Sequence, residues 1–275
     1  MRIQKVIAQS GVTSRRQAEA FILEGRVKVN NVKIYRPGHI VDPKNDVISI
    51  DDKVIPKQQA LSYYALHKPR GYITARNDPE ERPSVFGLLS NVSQRLEPVG
   101  RLDINTSGLL LFTNDGHLSQ KLLHPSTEIP TRFSVKVWKS PNEKKLMRIR
   151  KGLVLEDGRT KPAKVRSVDS TDSNNTWLEI TVTESRNRLI KRMFDAIGHP
   201  VSKLQRLSFA TIGLGKLPQG LCRPLTKDEV NRLKEIASGT PPEYAGAGSR
   251  YKKGYARPKP KPNKPLSRKN KGRKR

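Results

Sequence analysis

The chain carries one cysteine, Cys222, in 275 residues. That excludes a disulfide scaffold and a multi-cysteine zinc site, and it fits a reducing, cytoplasmic setting. No stretch approaches the ~18 consecutive apolar residues of a membrane helix. The opening Met1-Arg2-Ile3-Gln4-Lys5 lacks the apolar core of a secretory leader, so no membrane partner is expected. Standard catalytic signatures are missing too. There is no His-Glu-x-x-His, no nucleophile elbow and no cysteine–histidine pairing, and Gly213-Leu214-Gly215-Lys216 has neither P-loop nor dinucleotide spacing. His39, His67, His117, His124 and His199 are scattered along the chain. Metal and cofactor chemistry are therefore not expected, and the absent glycine-rich cofactor loop weakens a methyltransferase reading.

Acidic residues are the other shortage: 25 Asp and Glu stand against 54 Lys and Arg, for a formal charge of +29. A chain this basic usually meets a polyanion. Residues 250–275 hold thirteen Lys and Arg, four prolines and no acid. They offer too little apolar surface to offset chain entropy, so 241–275 reads as a disordered tail, either a solubilising end or a non-specific RNA arm. Without residues 250–275 the charge is still 41 basic against 25 acidic, or +16, so the folded part is basic in its own right.

Two units precede the tail. In residues 1–58, Ile3, Val6 and Ile7 keep helical spacing up to Gly11, and Ser14 with Gln17 reads as a capping box opening a second helix. Arg26 to Val29 and Val32 to Ile34 alternate around Asn30-Asn31, a hairpin, and Val47 to Ile50 gives another strand. Arg15 and Arg16 sit in the first turn of the second helix. They are either a phosphate seat, where side-chain charge adds to free backbone N–H groups, or solvated arginines that oppose the dipole. Asp51 to Ala60 is polar and reads as a linker.

Residues 59–240 hold strand-like runs at 62–67, 109–113, 133–138, 164–168 and 177–183. Helices are expected from Ser140-Pro141-Asn142-Glu143 to Gly152 and from Thr226 to Gly239. The strands do not alternate regularly with helices, which favours an α+β fold with a mixed, largely antiparallel sheet. Between Ser185 and Ile197, Ile190, Met193, Phe194 and Ile197 form a core stripe, while Arg186, Arg188, Lys191 and Arg192 project elsewhere with only Asp195 to offset them. Such a basic ridge suits a phosphate backbone. The run Gly100-Arg101-Leu102-Asp103-Ile104-Asn105-Thr106-Ser107-Gly108 is a polar loop bracketed by glycines and feeding the buried Leu109-Leu110-Leu111-Phe112. On pattern alone Asp103 is a turn former or a reactive carboxylate, the former being commoner. Asn114-Asp115-Gly116 reads as a further turn.

Several of these runs carry a family resemblance. Gln4 to Glu19 with Gly25-Arg26-Val27-Lys28-Val29-Asn30-Asn31 resembles the RNA-binding domain of the ribosomal-protein-S4 type, which implies structured RNA and marks Arg15, Arg16, Arg26 and Lys28 as RNA contacts. Gly-Arg-Leu-Asp at 100–103, with Thr106, Gly108 and the leucine run, resembles the signature of ribosomal RNA pseudouridine synthases of the RsuA/RluB family. Leu66-His67-Lys68-Pro69-Arg70-Gly71-Tyr72, Thr183 to Arg188 with Lys191-Arg192-Met193-Phe194, and Leu225 to Glu229 extend the match. Arg76 to Pro83 and Asn105-Thr106 look most like the large-subunit (23S) branch.

The resemblance implies a catalytic domain at 59–240 that isomerises uridine to pseudouridine without cofactor or metal. Asp103 would be its nucleophile at C1′ or would instead remove a sugar proton, Lys191 the partner keeping that carboxylate ionised, Phe133 a stacking surface for the base, and Arg101 a phosphate contact or a filler of the vacated stack. Two unit charges ~4 Å apart at an effective dielectric near 20 attract by about 4 kcal/mol, enough to oppose moderate desolvation. Three positions depart from the family: Phe133 stands for a usual Tyr and lacks its hydroxyl, Leu189 for a usual Gln, and Ser185 for a usual Gly. The expected partner is ribosomal RNA and the expected state a monomer. The competing readings are a non-catalytic RNA-binding assembly factor, favoured by Phe133, and a small-subunit (16S) synthase.

Overall fold

The computed structural model describes residues 1–172 and 175–239; the tail expected at 241–275 lies outside the described residues. Helix α1 (Ile3–Gln9) buries Ile3 and Ile7, and α2 (Arg15–Leu23) buries Ala18 and Ile22. Of the expected capping box the Ser14 half is formed: its hydroxyl accepts from Gln17 N–H at 3.1 Å. Strands β1 (Val27–Val29) and β2 (Val32–Ile34) pair antiparallel around Asn30 and Asn31, both at positive φ, which is the hairpin the sequence indicated. Strand β3 (Ile48–Ile50) pairs with the other side of β1, and β4 (Lys53–Val54) folds back on β3. Part of the stretch 51–60 expected as a linker is thus a second hairpin, turned by Asp51 and Asp52 at positive φ. Ile3, Ile7, Ala18, Ile22, Val27 and Ile48 fill this small core.

The larger sheet runs β11-β12-β8-β13-β7-β5-β15. Its strands are β5 (Tyr63–Lys68), β6 (Glu97–Pro98, alongside β7), β7 (Thr106–Thr113), β8 (Thr131–Trp138), β11 (Lys164–Asp172), β12 (Asn175–Val182), β13 (Val201–Phe209), β14 (Ile212–Gly213, alongside β13) and β15 (Cys222–Pro224). A separate hairpin pairs β9 (Val154–Leu155) with β10 (Gly158–Arg159). The β13–β7 pairing is parallel and every other strand pair is antiparallel, so the sheet is mixed and largely antiparallel. Gly108 allows that parallel contact: at φ +110 its bare α-carbon lies against the Arg206 backbone, where a Cβ would come within 2.2 Å of the carbonyl oxygen.

Helices pack on this sheet. One core joins α4 (Glu143–Lys151) and α5 (Leu189–Asp195) to β8, β11, β12 and β13 through Ile149, Leu178, Ile180, Met193 and Phe194. Another joins α3 (Gly116–Leu123) and α6 (Lys227–Ala237) to β5 and β7 through Leu118, Leu122, Leu233 and Leu111. The expected turn at 114–116 is therefore a helix start, with Asp115 accepting from Leu118 N–H at 3.0 Å. Helix α4 is capped by Asn142, bonded to Lys145 N–H, and not by Ser140. The capping box at Thr226 and Glu229 is complete. No helix among the described residues is long and apolar enough to cross a membrane.

Candidate active site

Asp103 lies in the loop entering β7, and that loop is fastened on three sides. Lys68, at the end of β5, is wholly buried. Its ammonium donates to the carbonyls of Pro69, Asp103, Ile104 and Thr106 at 2.8 to 3.2 Å. Gly71 N–H donates to the Ile104 carbonyl at 2.8 Å, and the Thr74 hydroxyl donates to the Leu102 carbonyl at 2.9 Å. Thr106 N–H closes the turn onto the Asp103 carbonyl at 3.0 Å. The backbone under Asp103 is therefore set before any ligand arrives. Burial lowers the Lys68 ammonium to about 8, with the Asp103 charge opposing that fall and the Lys191 charge adding to it.

The Lys191 ammonium reaches the Asp103 carboxylate at 2.7 Å. Helix α5 presents it by burying Leu189, Ile190, Met193 and Phe194 on its opposite side, as the core stripe indicated. Asp103 and Phe133 both face a cleft of about 500 Å³, walled by the 99–106 loop, β8, the 182–190 segment and β13. Arg101 and Arg188 also line it, exposed and without a hydrogen bond or ion pair among the described residues. The geometry offers a carboxylate on a rigid loop, a cation paired with it and an aromatic face beside it.

The basic ridge on α5 does not exist as expected. Arg192 Nη2 bonds Asp157 at 2.8 Å. Arg186 pairs with Glu184 at 2.9 Å and Asp157 at 3.5 Å, and donates to the Gly158 and Arg159 carbonyls. Both arginines pin the β9–β10 hairpin, and Arg188 alone of the four expected cations is free among the described residues. Compensation comes from Glu184, two residues before Arg186, and from Asp157, about thirty residues away in sequence, which a local charge count does not show. In the N-terminal unit Arg15 and Arg16 are exposed and unpaired among the described residues, whereas Arg26 pairs with Asp51 and Glu24, and Lys28 with Asp52.

Two departures from the family pattern lie in the wall of the cleft. Ser185 is not at positive φ, so it carries no strain that glycine would relieve, and the left-handed residue of that turn is Arg188, φ +49. Leu189 is buried in the α5 core. His67 bonds the Leu217 carbonyl and Gln205, and His199 the Trp138 carbonyl and Lys145. Two site residues escaped the sequence reading. Lys68 stood inside a quoted motif with no role given, and Arg206 needs β13 to be recognised before its place can be seen. Among the described residues no three His, Cys, Asp or Glu gather where a metal could sit.

Known proteins resemble this chain over most of its length. The family model described as RNA pseudouridylate synthase matches residues 62–196, and the S4 domain model matches residues 1–48. "Ribosomal large subunit pseudouridine synthase B" of Bacillus subtilis (strain 168) is 42% identical over 237 residues, covering 86% of this chain and 96% of that protein. This chain belongs to the RNA pseudouridine synthase family. The synthase of the same name from Escherichia coli (strain K12) is 39% identical over 251 residues, 88% of this chain and 84% of that one. A crystal structure of a pseudouridylate synthase superposes with a TM-score of 0.61 at 29% identity, covering 85% of this chain and 99% of its own. The family thus fits both the S4-type start and the sheet that carries Asp103, and the chain is an RNA-modifying isomerase.

Proposed function

We propose that this synthase converts a specific uridine of large-subunit (23S) ribosomal RNA to pseudouridine in the cytoplasm, acting as a monomer and without cofactor. Asp103 is the nucleophile, Lys191 its counter-ion and Phe133 the surface on which the extruded base stacks. The names of the Bacillus and Escherichia relatives support the large-subunit substrate. The observation that carries the chemistry is the 2.7 Å pair between Lys191 and Asp103, which lines the cleft. The division into 1–58 for RNA docking, 59–240 for catalysis and 241–275 as a basic tail belongs to the same proposal.

The target base has to leave its stack, which costs a few kcal/mol, and stacking on an aromatic returns ~1–3 kcal/mol per base. Phe133 supplies that face without needing a hydroxyl. With the loop held by Lys68, the carboxylate is pre-oriented and loses little freedom on attack. Lys191 pairs with it at a site from which the RNA displaces water. Arg101 and Arg188, free at the cleft wall, are placed for flanking phosphates.

The test is tritium release from C5-labelled uridine in large-subunit RNA, run beside small-subunit RNA. Wild type is expected to release tritium from the former, while Asp103→Asn, folded and binding RNA normally, releases none. Release at the wild-type rate from Asp103→Asn would refute the nucleophile. Binding without release from either RNA would support a non-catalytic assembly role, and release from small-subunit RNA alone would move the substrate.

A further inference from the structure

Arg206 sits on β13 directly opposite Phe133 on β8, so the two side chains share a face of the sheet as cross-strand neighbours. Both line the Asp103 cleft. Only 5% of Arg206 is exposed. Its Nε donates to the Leu109 carbonyl at 2.5 Å, while its Nη2 is buried with no partner. Each of Arg186, Arg192 and Arg223, by contrast, reaches a carboxylate. Burial pushes the Arg206 guanidinium down to about 9, with no carboxylate nearby to oppose the fall. A buried cation with an idle donor is costly unless something supplies the missing acceptor. The guanidinium lies 5.4 Å from the Phe209 ring, and a base bound in the cleft that Arg206 lines would bring that acceptor.

Resting on the reading of this cleft as a pseudouridine synthase site, we propose that Arg206 is a further catalytic residue: it donates to a carbonyl oxygen of the uracil stacked on Phe133 and stabilises the negative charge that the ring takes up when its bond to ribose breaks. Attack of an Asp103 oxygen on C1′ forms a C–O bond and breaks C1′–N1, and the electron pair leaves on the uracil, spread over N1, O2 and O4. When C5 of the same ring then attacks C1′, the C–O bond to Asp103 breaks and the carboxylate is restored. C5 gives up its proton and N1 gains one, so substrate and product are isomers. Charge on the carbonyl oxygens is larger in the transition state than in bound uridine, which is the condition for a fixed donor to accelerate the step.

The experiment compares uridine RNA with the same RNA carrying 5-fluorouridine at the target, following loss of the target nucleoside. Fluorine withdraws electrons and stabilises the departing ring by itself, so it substitutes for part of what Arg206 does. Loss of one such donor is worth ~10²–10³-fold, so Arg206→Gln is expected to slow uridine RNA by that factor and 5-fluorouridine RNA by about tenfold less, with RNA affinity unchanged. Arg206→Lys, which keeps the charge and loses the fork, is expected to show the same difference on a smaller scale, and it serves if the glutamine variant melts early. Equal losses on both RNAs in a folded variant overturn the proposal, because a packing defect cannot tell one leaving group from the other. Wild type inactive on uridine RNA overturns the synthase reading itself, and this role falls with it.

Discussion

Lys68 shows how much of this site is held by one side chain that the sequence does not advertise. Lysine is rarely buried, and in Leu66-His67-Lys68-Pro69 nothing local says that its ammonium will gather, besides the Pro69 carbonyl, three carbonyls of a loop more than thirty residues on. Asp103 and Lys191 were legible as a pair only through the family resemblance, since they are 88 residues apart. The burial of Lys68 has a pH signature. Its ammonium ordinarily titrates near 10.5 and here near 8. Below pH 8 both native and unfolded chains hold the proton, and the native state bears the full cost of the buried charge. Between pH 8 and 10.5 the unfolded chain binds more protons, so stability from this group rises, by at most about 3 kcal/mol. Activity is expected to move the opposite way, because a neutral amine has two hydrogens for four carbonyls and the Asp103 turn loosens. Thermal melts and tritium release from pH 7 to 10, compared with Lys68→Met, check both signs. A wild-type melting profile parallel to that of the variant would remove Lys68 as the titrating group.

At the scale of elements, segments with a strong periodic stripe were legible. The α5 stripe, the α6 start at Thr226 and the Asn30-Asn31 hairpin rest on patterns within a few residues, and the structure keeps them. Strand β13 was missed because Val201 to Phe209 mixes Lys203, Gln205 and Arg206 with its apolar residues. Its polar members look outward-facing until both neighbours, one parallel and one antiparallel, are known. Helix α3 was missed because Asn114-Asp115-Gly116 serves a turn or a cap equally well, and packing of Leu118 and Leu122 decides it. The β7–β13 seam is where these elements meet the chemistry. A Cβ on Gly108 would stand 2.2 Å from the Arg206 carbonyl oxygen and 2.5 Å from its nitrogen, both backbone atoms that cannot swing aside. Gly108→Ala must therefore spread the parallel pair and move Arg206 out of the cleft. A loss of more than about 3 kcal/mol is expected, in the range reserved for strain and overpacking, read as a fall in the urea midpoint. A midpoint within experimental error of wild type would mean that the seam is not tight.

For the whole molecule the governing quantity is the number of cations left unpaired by the fold, and it is smaller than composition suggests. Of the eight basic residues expected to touch RNA, Arg26, Lys28, Arg186 and Arg192 are held by Asp51, Glu24, Asp52, Asp157 and Glu184. Among the described residues Arg15, Arg16, Arg101 and Arg188 are not. A paired arginine that docks on phosphate must first give up its carboxylate, so it releases fewer net counterions than a free one. Each phosphate neutralised contributes roughly 0.9 to the slope of log K against log salt, or about 0.7 on single strands. Replacing Arg15 and Arg16 together with Gln should flatten that slope by about 1.4 to 1.8 while leaving the modified uridine unchanged. Replacing Arg26 and Lys28 in the same way should flatten it far less and cost some stability instead, since Asp51 and Asp52 lose their partners. Filter-binding titrations across a salt series, run on the same RNA used for tritium release, separate the two pairs. Equal slopes for both double variants would show that the acids let go when RNA arrives, and that the full basic surface, rather than its unpaired fraction, carries the affinity.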